Sequence, residues 1–87
     1  MLLNVLGYEK PTIVSAGGLT VPAGTQVVLM QATSQTVRWR DDGTDPTTSE
    51  GMRIVVDLAP FVYHGNPKAF TAIAETSGGV LLVSYYG

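Results

Sequence analysis

Short strand-like runs alternate along the whole chain with breaks made of Gly, Pro, Asn or Asp, at intervals of roughly ten residues. The breaks are Glu9-Lys10-Pro11, Gly17-Gly18, Pro22-Ala23-Gly24, Ser34-Gln35, the polar stretch from Asp41 to Gly51, Pro60, Gly65-Asn66-Pro67 and Ser77-Gly78-Gly79. Pro removes a backbone donor and Gly tolerates turn conformations, so neither long helices nor long strands survive this punctuation. The spacing predicts an all-β fold: one small β-sandwich or barrel of about eight short, mainly antiparallel strands, formed by residues 1–87 as a single domain.

A chain of 87 residues has a thin core, because a domain of this size buries only about 60–65% of its unfolded surface. It has no cysteine to form a disulfide and a single histidine, which excludes a thiolate or multi-histidine zinc site. Small domains without such staples often gain stability by associating. Only 14% of the residues are charged, against about 25% in an average soluble domain, and a surface poor in charge suits contact with another chain. The net charge of −2 argues against a nucleic-acid partner, including a small RNA-binding barrel, since these need a basic face. Met1 to Tyr8 lacks the features of a secretory signal, and the longest apolar runs are too short to span a bilayer. No membrane partner is expected.

The stretch from Thr36 to Leu58 holds the only Trp, three of the five basic residues and five of the seven acids. At period two, Val37 and Trp39 point one way and Arg38 and Arg40 the other. Trp39 is expected to anchor the core; the rival reading is an exposed stacking platform for a sugar or base. Arg38 and Arg40 form a basic pair on the outer face. Together with Asp41, Asp42, Asp45, Glu50 and Arg53 they are candidates for ion pairs with a neighbouring protein. After the loop, Ile54, Val56 and Leu58 are expected to face inward. The acids do not match a known calcium-loop pattern, and Asp-Asp-Gly and Asp-Pro are ordinary turn chemistry; no metal or other cofactor is expected. His64 stands beside no nucleophile signature and reads as a rim residue. No catalytic constellation is visible.

Residues 1–10 read as an edge strand or as an extended arm lying on a neighbouring subunit, with Leu2, Leu3 and Val5 as its contact residues. Pro22-Ala23-Gly24 suggests a type I turn with Pro second and Gly fourth. Val27, Leu29 and Gln31 on one face of the following strand, and Val28, Met30 and Ala32 on the other, predict a strand covered on both sides, one cover being a partner. Ser77-Gly78-Gly79 signals a hairpin. Of Tyr85 and Tyr86, one is expected to pack with Trp39 and the other to face a partner.

Three stretches give the chain a resemblance to a family of small tailed-bacteriophage virion proteins: Val21-Pro22-Ala23-Gly24-Thr25; Val37 to Thr47, continued by Gly51-Met52; and Gly79 to Tyr86. The resemblance implies a β-sandwich without catalytic residues, made in many copies and built into a particle. It points to a capsid decoration or cement protein that stabilises the head, with a neck, collar or tail component as the alternative and a carbohydrate-binding module at a fibre tip behind both. It further implies contact with copies of itself, as a trimer at capsid threefold positions, and with the major capsid protein or other virion proteins. Localisation in the virion, after assembly in the host bacterial cytoplasm, follows from the same resemblance.

Overall fold

Nine strands in two antiparallel sheets make up the computed structural model, which describes residues 2–87. They are β1 (Val5–Glu9), β2 (Thr12–Ile13), β3 (Gly17–Gly18), β4 (Val27–Thr33), β5 (Val37–Arg40), β6 (Met52–Ile54), β7 (Phe61–Tyr63), β8 (Thr71–Ala74) and β9 (Gly79–Tyr86). One sheet runs β1-β9-β4-β7, with β2 continuing the β1 side of β9 past the break at Pro11; the other runs β3-β8-β5-β6. The expected all-β sandwich is therefore present, and no helix occurs among the described residues. The molecule measures 38 × 26 × 17 Å, and two sheets stacked about 10 Å apart account for the thin dimension.

Period-two alternation places the core. In β4, Val28, Met30 and Ala32 are buried while Val27, Leu29 and Gln31 are only half covered. In β9, Leu81, Val83 and Tyr85 are buried between half-covered Leu82, Ser84 and Tyr86. The facing sheet adds Val37, Ile54, Ala72 and Ala74, and Phe70 enters from the turn before β8. Each Val, Leu, Ile, Met or Phe side chain among them contributes about 1.5–3 kcal/mol when fully buried. Ala72 and Ala74 let the sheets approach closely: a Cβ on Gly79 would stand 2.5 Å from that of Ala74.

Polar groups inside this thin sandwich are satisfied locally. Buried Thr36 accepts a hydrogen bond from Val56 N at its Oγ1, 3.0 Å, and one from Glu75 N at its carbonyl, 2.9 Å. Tyr85 donates to Glu9 Oε2 at 2.9 Å, and Thr20 N donates to the same oxygen at 3.1 Å. That carboxylate ties the 19–21 segment to the β1 edge. Burial, and secondarily the adjacent Glu9, push the Tyr85 hydroxyl above its ordinary pKa.

Several local expectations are corrected. Ser77-Gly78-Gly79 does not close a hairpin: β8 and β9 lie in different sheets, so this turn carries the chain across the sandwich. The turn after Val21 runs one residue later than expected. Thr25 N bonds Pro22 O, and Gly24 sits third at φ +85°, the signature of type II rather than type I. Leu58 does not face inward but is 58% exposed. Alternation ends at Ile54, because Asp57 N bonds Ala32 O with Asp57 at φ +61° as the chain turns from one sheet to the other. The amino-terminal segment is an edge strand, β1, whose Val5 pairs with Tyr86 and Tyr8 with Ser84 around a bulge.

Candidate functional site

The two outer faces differ sharply in chemistry. On the four-stranded sheet, Arg38 lies directly opposite Arg53 in the neighbouring strand and opposite Ile73 on the other side. Like charges placed this way repel, and Glu75, just past β8, resolves the conflict. Arg53 donates to it through Nε at 2.8 Å and Nη2 at 3.0 Å. Arg38 Nε is 2.7 Å from Glu75 Oε2, but its N–H is not aimed at the oxygen, so the contact is coulombic rather than a formed hydrogen bond. Arg38 Nη1 instead donates to Gly51 O at 3.0 Å. The Arg53 hydrogen bonds hold the Glu75 carboxyl below its ordinary range.

The loop between β5 and β6 is likewise tied to the chain's own groups. Arg40 grips Asp42 with two hydrogen bonds, Nε to Oδ1 at 3.0 Å and Nη2 to Oδ2, which lowers the Asp42 pKa. Asp42 Oδ1 also accepts from Thr44 N at 3.3 Å. Asp41 accepts from the Tyr63 hydroxyl at 2.6 Å, and that hydroxyl lies 3.1 Å from Asn66 O. Burial first, and Asp41 second, raise the Tyr63 pKa. Gly51 ends the loop at φ +137°, where a Cβ would stand 3.1 Å from Trp39 O and 3.2 Å from Pro46 Cβ, so the close approach requires Gly. Asp45 and Glu50 are exposed. Among the described residues, no three of His, Asp and Glu converge in a metal-binding group. His64 is exposed at the end of β7.

Trp39 is half-buried at the margin of the core rather than at its centre. Its ring stacks on fully buried Phe70 at 5.1 Å and 22°, lies 5.8 Å from Phe61, and meets the edge of Tyr63 at 5.5 Å. Its aromatic partners are thus these three, and neither Tyr85 nor Tyr86, one of which was expected to pack with it; Tyr85 packs with the aliphatic core. A cleft of 410 Å³ beside the indole is lined by Arg38, Trp39, Arg40, Asp41, Asp42 and Met52. With Phe70 stacked on it, the ring serves as an anchor of the aromatic cluster.

The outer face of the five-stranded sheet is of another kind. Register lines its side chains in transverse rows: Val5, Tyr86 and Val27; then Tyr8, Ser84, Leu29 and Val62; then Leu82 and Gln31; then Thr12, Val80 and Thr33. None of these positions is charged. Val5, Tyr8 and Val62 are 68, 62 and 47% exposed. Between them a depression of 170 Å³ is lined by Tyr8, Leu29, Gln31, Pro60, Leu82 and Ser84. Of the expected arm residues, Val5 joins this face, while Leu3 is half-covered and Leu2 is 96% exposed ahead of it. The two-sided apolar pattern of β4 signalled the face. Tyr8 and Val62 were missed because short strands β1 and β7 carry too little alternation to assign a side. Comparison with protein-family models, curated proteins and solved structures finds no match to this chain.

Proposed function

We propose that this chain is a non-enzymatic structural protein of a bacteriophage virion, a capsid decoration or cement protein that stabilises the head through subunit contacts. Its partners are further copies of itself and the major capsid protein. One observation carries the reading: the outer face of the five-stranded sheet has no charged residue in any strand position and leaves Val5, Tyr8 and Val62 largely open. Monomeric soluble proteins rarely leave a wide face of this kind uncovered, and such faces mark contact sites. The resemblance at Val37–Thr47 and Gly79–Tyr86 supplies the virion context. The arginines fit a supporting role, since Arg38, Arg40 and Arg53 already have carboxylate partners within the chain.

Quantitative mass spectrometry and gel densitometry of purified virions from the encoding phage test the proposal. Copies on the order of hundreds per particle are expected for a head protein in closed symmetry. About a dozen copies would place the chain in the neck or tail instead, and its absence from the particle would overturn the virion reading.

A further inference from the structure

The geometry points to a specific occupant for the uncharged face: a second copy of this chain, stacked face to face about a twofold axis that runs along the strands between β9 and β4. The inference deepens the structural-protein reading above and rests on it for its setting, though not for its geometry. It replaces the trimer implied by the resemblance with a dimer.

Three observations select a second copy over an unlike partner. First, the face is chemically self-complementary. Its polar groups are the hydroxyls of Tyr8, Thr12, Thr33, Ser84 and Tyr86 and the amide of Gln31, and each of these both donates and accepts hydrogen bonds. An identical patch can therefore satisfy them, as a twofold contact requires. Ser84 and Tyr86 already share one such bond at 3.2 Å. Second, the chain carries a net charge of −2, yet no strand position of this face is charged, so the two paired sheets bring no like charges together; Arg38, Arg40, Asp42, Arg53 and Glu75 belong to the other sheet and its loop, and exposed Lys10 and Asp57 lie in the connections that flank this one. Third, the broad side of a molecule 38 × 26 × 17 Å spans the roughly 800 Å² per partner that a stable interface needs.

Register gives the axis. Tyr8, Ser84, Leu29 and Val62 form one row across β1, β9, β4 and β7. A twofold along the strands, midway across that row, lays β1 over β7 of the second copy and β9 over β4. Tyr8 then meets Val62 of the other copy, and the reverse, while the two 170 Å³ depressions face each other at the centre. Aligned stacking of this kind is the common way that two sheets pack.

Sedimentation velocity of the full chain, from micromolar to millimolar concentration, supplies the first readout, with a reversible species of twice the monomer mass expected. Val62→Glu places a carboxylate on a nearly half-exposed edge position, where the fold tolerates it. The variant should keep its circular dichroism and weaken association by about tenfold or more, because a charge is buried without a partner. Ile73→Glu, on the opposite face, should leave the dimer intact. Combining Val62→Glu with Tyr8→Lys should restore it. Within one chain these positions are three strand spacings, roughly 14 Å, apart, so only a contact between copies brings the new charges together. A monomer throughout, a trimer, loss of the dimer at Ile73 rather than Val62, or no rescue by the double variant would each overturn the inference. A monomer found in a chain that is abundant in virions would sink the dimer alone. A dimer formed by a chain absent from virions would sink the virion reading alone.

Discussion

At the scale of single residues, Trp39 concentrates the most stability in one side chain. It joins β5 to Phe61 and Tyr63 of the opposite sheet and to Phe70. Replacing a buried aromatic by Ala costs about 3–5 kcal/mol, and the half-buried position puts Trp39→Ala near the lower value. For a domain of this size that lowers the melting temperature by roughly 12–24 °C. Trp39→Phe, which keeps a ring against Phe70, should cost far less. Calorimetry of the two variants checks this, and an unchanged melting temperature for Trp39→Ala would show that the ring is a surface feature. The residue's side of the strand was legible from strict alternation between Val37 and Arg40. Its aromatic partners were not, because Phe61, Tyr63 and Phe70 converge on it only through long-range sheet stacking.

At the scale of elements, the four-stranded sheet is held at its charged face by one shared carboxylate. Glu75 separates Arg38 and Arg53, which register places side by side. Its pKa is lowered in the folded chain, chiefly by the Arg53 hydrogen bonds. The folded state therefore releases the proton more readily than the unfolded state. The resulting stability is present above the unfolded carboxylate value, about pH 4.3, and is lost as pH falls through the lower folded value. Melting curves across this acid window should show a smaller fall for Glu75→Gln than for the wild type, since the amide has no charge to lose; parallel curves would contradict the assignment. Nothing in the sequence placed Glu75 there. It lies 22 residues from Arg53, and the expected partner carboxylates for the arginines were those of another protein. The strands themselves were readable, because short alternating runs between turn residues leave little choice of element. What failed were the signals that depend on which sheet a strand joins. Ser77-Gly78-Gly79 is good hairpin chemistry, yet β9 is claimed by β4 over seven paired positions, from Val27 with Tyr86 to Thr33 with Val80, and the turn becomes a crossing.

At the scale of the whole molecule, all connections but β1 to β2 and β5 to β6 cross between sheets, and only β5 and β6 are joined as sequential neighbours in one ladder. β1 pairs with β9, Val5 with Tyr86, so the five-stranded sheet joins segments far apart in the sequence. The product is a slab with one face that carries three internally paired arginines and one face uncharged at every strand position. Association through the uncharged face is the central claim, and its dependence on salt separates it most directly from association through the arginines. Ion pairs between copies weaken as added salt screens them, whereas apolar contact does not. The decisive measurement is the dissociation constant of the dimer by sedimentation at about 0.05 M and about 0.5 M sodium chloride, a range over which the screening length falls severalfold. An affinity unchanged or tighter at the higher salt is the predicted result; a dimer that falls apart there would show that ion pairs, and not the uncharged face, carry the contact.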